Sequence, residues 1–281
     1  LSFGFARKKM DNCWSPYGYV GVTNFGRFVV DQRHLPRFFR SNIVVEDATD
    51  DDLPGISSIY QRTYEGTLGA FERDDRTWNY LFDRLTVDGR IWKVVKSQDS
   101  ELLAYCIGSK GLVTELGLTS DMDERDLLVV INRHFAGDET IAFEIGYQHP
   151  FKFTIQGLSH SFNSRYAWVG GHIARIEDEY RFLREITPVL QSRLARLAVG
   201  DFQFVAQGYR FEFSQQILKV MPVDWGDCGV RFENKDWVKI LLGSMGLCEV
   251  RPKEGKYYDL DGRVEAVFPK LYPQFPEFDH Y

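Results

Sequence analysis

Four residues stand out for the chemistry their types allow. Asp11-Asn-Cys-Trp-Ser-Pro-Tyr-Gly-Tyr brings Trp14, Tyr17 and Tyr19 close together. A phenol can return a proton to a departing anion, so Tyr17 is a candidate general acid. An indole N–H donates a hydrogen bond but is no useful acid at neutral pH. Trp14 and Tyr19 offer flat apolar rings suited to a substrate-pocket wall, or the rings simply pack. At the other end the chain closes on Phe278-Asp-His-Tyr281. The carboxylate of Tyr281 could deprotonate an ammonium if burial raised its pKa. The alternative is a frayed terminus; Phe275 and Phe278 are anchors that argue for a docked tail.

Other chemistries find little support. His34, His134, His149, His160, His172 and His280 show no metal-ligand spacing, so no metal site is expected. Cys13, Cys106, Cys228 and Cys248 form no C-x-x-C pair and fit buried, reduced thiols in a cytoplasmic protein. No serine lies in G-x-S-x-G, which removes the usual hydrolase signature. The net charge of −6 gives no basic footprint for nucleic acid. No apolar run reaches the length of a membrane span, so no membrane partner is expected. With 22 Phe, 14 Tyr and 6 Trp, the chain can build large cores or a bulky aromatic pocket.

The elements that would position these residues follow from periodicity and caps. Residues 11–21 read as a helix passing into a strand. Strands are predicted at 24–31, 43–47, 91–95, 102–107, 113–118 and 140–145, with a late strand over 166–176. Thr49 followed by three Asp is a strong helix start, with Leu53, Ile56, Ile59 and Tyr60 at helical spacing. Further helices are predicted at 74–85 and 123–134. Residues 177–197 form a strongly patterned helix that Pro188 should kink or split. Short strands at 202–205, 209–213, 216–220 and 229–232 precede a helix at 235–242 ended by Gly243. This is a mixed α/β (α+β) plan, without a regular βαβ repeat.

The chain opens on Leu1, and 35 residues before a fresh domain start cannot bury a core of their own. The expectation is that residues 1–37 are the last elements of a domain whose body lies upstream.

The aromatic segment 11–19 resembles the aromatic-x-x-aromatic-Gly-aromatic signature near the end of GNAT-superfamily acetyltransferase domains. The tail Ala266-Val-Phe-Pro-Lys-Leu-Tyr-Pro through Phe-Asp-His-Tyr281 is similar to the C-terminus of the enhanced-intracellular-survival type. Such proteins look like two fused GNAT domains followed by a sterol-carrier-like domain. The resemblance implies three parts: residues 1–37 as the end of a first GNAT domain, 38–182 as a second, degenerate GNAT-like domain, and 183–281 as a smaller sterol-carrier-like α+β domain. It implies transfer of acetyl from acetyl-CoA to a small-molecule or peptide amine, and it allows a homo-oligomer. In the family a Tyr holds the position of Trp14 and returns the proton to CoA, which puts ordinary acid catalysis in doubt here. The family's free C-terminus reaches the first-domain site and acts as a base, the role implied for Tyr281.

The family's pyrophosphate loop, Gln/Arg-x-x-Gly-x-Gly/Ala at a helix start, is not found. Arg133-His-Phe-Ala-Gly-Asp falls at the wrong end of a helix, and Gly108-Ser-Lys-Gly111 is a turn between strands. Acetyl-CoA would therefore be held upstream, with this chain supplying scaffold, pocket wall and C-terminal carboxylate. A non-enzymatic lipid or small-molecule carrier, an assembly module and a pseudo-enzyme are the rival readings.

Overall fold

The structure is a computed structural model that describes residues 1–6, 11–22, 24–65, 67, 70–146, 149–166, 171–224, 229–255 and 262–271. The chain begins with β1 (Ser2–Ala6), α1 (Asp11–Trp14), a 3-10 turn (Ser15–Tyr17) and β2 (Val20–Gly21). It continues with β3 (Asn24–Asp31), β4 (Val44–Asp47), α2 (Leu53–Tyr64), α3 (Asp75–Val87), β5 (Ile91–Lys96), β6 (Leu102–Ser109) and β7 (Leu112–Leu118). Next come α4 (Glu124–His134), β8 (Thr140–Phe143), α5 (Lys152–Gln156), β9 (His160–Tyr166) and β10 (Gly171–Arg175). The last elements are α6 (Glu179–Arg196), β11 (Phe202–Ala206), β12 (Tyr209–Ser214), β13 (Ile217–Pro222), α7 (Asn234–Leu241) and α8 (Arg263–Val267).

Two compact units emerge, one from residues 24–166 and one from residues 1–23 with 167–273. The first is a seven-stranded sheet in the order β4-β5-β6-β7-β8-β3-β9. Every neighbouring pair in it is antiparallel except β7 and β8. Helices α2 and α3 cover one face through Ile56, Ile59, Trp78 and Leu81, packed on Trp92, Val94 and Ile107. Helices α4 and α5 cover the other through Leu127, Ile131 and Ile155, packed on Phe28, Cys106 and Leu116.

The helix starts are built from carboxylates, as their sequences foretell. Thr49 and Asp52 form a capping box, and Asp74 accepts from the Thr77 amide at 2.8 Å. The linker 36–41 lies along α4. The wholly buried Asp126 accepts from the amides of Arg40 (2.7 Å) and Ser41 (2.9 Å), and Asn132 donates to the Pro36 carbonyl.

The other unit holds two three-stranded sheets, β1-β10-β2 and β11-β12-β13. Its core gathers Leu183, Leu190, Leu194, Phe211, Phe213, Trp237 and Phe268. The rings of Phe204 and Phe211 stack at 4.6 Å, and Trp237 meets Phe268 edge-on at 5.5 Å.

Several expectations are corrected. Of the strand expected over 166–176, Gly171–Arg175 forms β10 while Tyr166 ends β9 in a different sheet, and 167–170 lie outside the described residues; β9 lies in a polar stretch with little alternation. Strand β3, expected with residues 1–37, pairs with β8 and β9, so the units divide near 23 and 166. Helix α6 is one helix through Pro188, so the chain is not split there, and both Pro188 and Arg184 are exposed. Residues 229–232 make only isolated bridges, Ala206 to Val230 and Arg231 to Glu254. Cys13 and Cys248 are exposed thiols, while Cys106 is buried and its pKa is pushed up by burial.

Candidate functional site

The aromatic turn is well formed. Helix α1 tightens into the 3-10 turn at Pro16, and Gly18 closes it in the left-handed conformation (φ +79°), its amide donating to the Ser15 carbonyl at 3.0 Å. Only glycine takes that conformation cheaply. The chain then enters β2, which pairs with β10 through Val20–Ala174 and Gly21–Ile173. Arg175 of β10 donates to the Tyr17 carbonyl at 3.0 Å and pairs with Glu177 at 2.9 Å. Trp14 and Tyr19 come together edge to face, their centroids 5.5 Å apart. Tyr17 stands apart from them, 66% exposed, and its hydroxyl meets no described base. Tyr281 lies outside the described residues, as do Phe275 and Phe278. Among the described residues the turn presents a small aromatic face (Trp14 is 38% exposed) and an exposed phenol.

A second polar cluster, which the sequence reading missed, lies in the 24–166 unit. Parallel pairing of β7 and β8 covers only Leu112–Ala142 and Val113–Phe143. Strand β8 then ends, while β7 bulges at Thr114, whose hydroxyl turns back to the Ile107 carbonyl at 3.1 Å. Two parallel neighbours that part at their carboxyl ends leave a crevice, the usual place for a ligand in such sheets. Here the chain's own side chains fill it.

The Leu116 carbonyl accepts from the Tyr64 hydroxyl (3.2 Å) and from His149 Nε2 (3.1 Å). The Phe151 amide donates to His149 Nδ1 at 3.1 Å, so the proton of the neutral ring sits on Nε2. The His149 pKa falls to about 4 because burial disfavours the cation. On the α2/α3 side, Arg73 forks onto Glu115 with contacts of 3.0 and 2.7 Å, and the Tyr105 hydroxyl adds a third donor at 3.0 Å. The Arg73 guanidinium lies over Tyr60 (4.2 Å) and Trp78 (4.7 Å). Both charged side chains are sealed, 1% and 0% exposed. Burial, and then the Glu115 charge, hold the Tyr64 and Tyr105 hydroxyls well above the ordinary phenol pKa.

Gly117 makes this packing possible. A Cβ there would stand 2.5 Å from a Tyr105 ring carbon and 2.8 Å from Ile59. The cluster can hold a fold in one arrangement, and its described side chains are all buried.

The helix after β7 is where a phosphate-gripping turn would stand. It starts instead with Asp123, whose carboxylate accepts from the Arg125 amide at 2.8 Å, followed by Glu124 and Asp126. Glu124 hydrogen-bonds the Thr154 hydroxyl, and its pKa is raised by burial and by Asp123. A pyrophosphate brought here would meet Asp123 and Glu124, while Asp126 is turned to the Arg40 and Ser41 amides. Among the described residues this helix start does not fit the phosphates of acetyl-CoA.

No protein-family model matches the sequence, and no curated protein matches it. Solved structures do match in fold. A GCN5-related N-acetyltransferase from Anabaena variabilis ATCC 29413 superposes with a TM-score of 0.59 at 12% identity, over 98% of this chain and 70% of that one. A conserved protein from Enterococcus faecalis V583 gives 0.62 at 12% identity over the same shares. Eis1 from Mycobacterium abscessus gives 0.55 at 14% identity, over 99% of this chain and 72% of its own. At these identities the likeness speaks for architecture: the chain has the mixed-sheet, helix-flanked fold of the GCN5-related N-acetyltransferases.

Proposed function

We propose that this chain works as part of an N-acetyltransferase that moves acetyl from acetyl-CoA to a small-molecule or peptide amine, and that its share is scaffold and pocket wall. The observation that carries this reading is the filled crevice between β7 and β8. This unit has set Tyr64 and His149 on the Leu116 carbonyl beyond the end of β8, buried Arg73 and Glu115 on the α2/α3 side, and placed carboxylates at the following helix start. Such a unit supports a cofactor site held elsewhere in the protein.

On this reading the residues before β3 complete a first GNAT domain, the 24–166 unit is the degenerate second one and the part from α6 onward is sterol-carrier-like. Trp14 and Tyr19 form a wall on which an ammonium rests by cation–π attraction. Tyr17 is the nearby phenol, and the Tyr281 carboxylate is the base. Location in the cytoplasm and assembly into a homo-oligomer belong to the same proposal.

The test is release of CoA thiol from acetyl-CoA in the presence of primary amines, measured on this chain alone and on any longer product of its coding sequence. The expected result is no turnover by the chain alone and turnover by the longer product. Turnover by the chain alone overturns the scaffold reading. No turnover by either overturns acetyl transfer.

A further inference from the structure

A cleft of about 620 Å³ opens on the 24–166 unit at the start of β8, the opposite end of that strand from the filled crevice. Its walls include Asp31, Arg33, Arg37, Arg133, Asp138 and Glu139. The volume suits a small ligand, and the lining is charged where most such sites are apolar.

The charges are sorted by wall. Arg33 is already matched: its Nε lies 3.0 Å from one Asp31 oxygen, its Nη2 reaches the other, and the pairing holds the Asp31 carboxyl near 2. Arg133 is held in place, lying on the Phe39 ring at 4.3 Å and donating to the Arg37 carbonyl at 3.2 Å. The Arg37 guanidinium and the Glu139 carboxylate enter no ion pair with any described residue. Among the described residues Asp138 pairs with Lys110 at 3.9 Å, the outer limit of an ion pair, and its side chain is fully exposed.

The backbone under both sets of charges is fixed. The linker bearing Arg37 is strapped to α4 by Asn132 and Arg133, and the Gln32 amide donates to the Glu139 carbonyl at 2.9 Å, which ties the chain before the linker to the start of β8. The lining thus carries Arg37 and Arg133 from the linker side and Asp138 and Glu139 from the β8 side, with Arg37 and Glu139 in no ion pair with a described residue.

We propose that this cleft binds a small zwitterion, an amino acid or short peptide with both ends free. Its carboxylate would lie on Arg37 and Arg133 and its ammonium between Asp138 and Glu139. A simple anion would meet the two carboxylates, and a simple cation the arginines; only a molecule bearing both charges gains on both walls. The inference does not depend on the acetyl-transfer reading.

Titration calorimetry of the whole chain with triglycine, N-acetyl-triglycine and triglycinamide tests it. Triglycine is expected to bind with Kd of about 1 mM or tighter. Capping either end should weaken binding about tenfold or more, since each end loses a charge-assisted contact. Arg37→Gln should abolish the penalty for amidation, and Glu139→Gln the penalty for acetylation. Both positions are exposed, so folding is preserved, with circular dichroism as the check. No saturable binding of triglycine up to about 10 mM overturns the proposal. So does equal binding of the capped and uncapped peptides, which would mark a mere surface groove.

Discussion

Replacing Glu115 by Gln keeps its shape and removes its charge. The Arg73 guanidinium, sealed at 1% exposure, would then lose the Glu115 charge, and the Gln amide would turn an NH2 group toward a donor that the carboxylate now accepts from. Removing one partner of such a buried pair costs about 3–5 kcal/mol. That is a large share of the roughly 5–15 kcal/mol typical of a folded domain. Arg73→Met should cost about as much, by leaving the buried Glu115 carboxylate without its guanidinium and with the Tyr105 hydroxyl as its described donor. The pair removed together behaves differently: an apolar replacement of similar volume is near neutral, apart from the orphaned Tyr105 hydroxyl at about 1–3 kcal/mol. The triple variant R73M/E115L/Y105F should therefore be more stable than either single variant.

Urea unfolding, read by hydrogen exchange of peptides covering 53–64 and 102–118, reports this unit alone. The expected coupling between the two single substitutions is at least about 2 kcal/mol in a double-mutant cycle. Strictly additive losses would refute the argument that the network acts as one buried plug.

His149 gives a pH signature. Its pKa is about 4 folded against 6.5 free, so the unfolded chain binds the extra proton between those values. Its contribution is complete above pH 6.5 and is lost as pH falls toward 4, about 3 kcal/mol in all; His149→Gln should flatten that slope, seen by urea midpoints across pH 4–7. Gly117→Ala should destabilise by about 1–3 kcal/mol, because its Cβ falls inside contact distance of Tyr105 and Ile59; an unchanged thermal midpoint would contradict the packing described. Asp74→Ala, which removes a helix cap, should cost about 1 kcal/mol, and Asp74→Asn much less.

The parts of the fold legible in the sequence are those with strong local signals. Asp123 before Leu127, Leu128 and Ile131 marks α4, and alternation with valine and phenylalanine marks β3 over its full length. Strand β9, His-Ser-Phe-Asn-Ser-Arg-Tyr, carries no such alternation, because pairing with β3 rather than propensity places it. The buried network had one visible clue, a glutamate inside the apolar run Leu112–Leu118 two residues before Gly117. Its partner Arg73 sits between Glu72 and Asp74 in an ordinary charged stretch, and only the fold brings it to Glu115. The aromatic turn was legible because Pro16 and Gly18 punctuate it. Whether Tyr17 met a base depended on tertiary placement that spacing does not encode.

The central claim is the proposal that the 24–166 unit serves as scaffold, with Tyr64 and His149 buried where β7 runs past the end of β8, and does not itself hold acetyl-CoA. Titration of acetyl-CoA into this chain tests that claim most directly. The account predicts no saturable binding up to about 1 mM; binding with Kd at or below about 10 μM, about −7 kcal/mol, would contradict it.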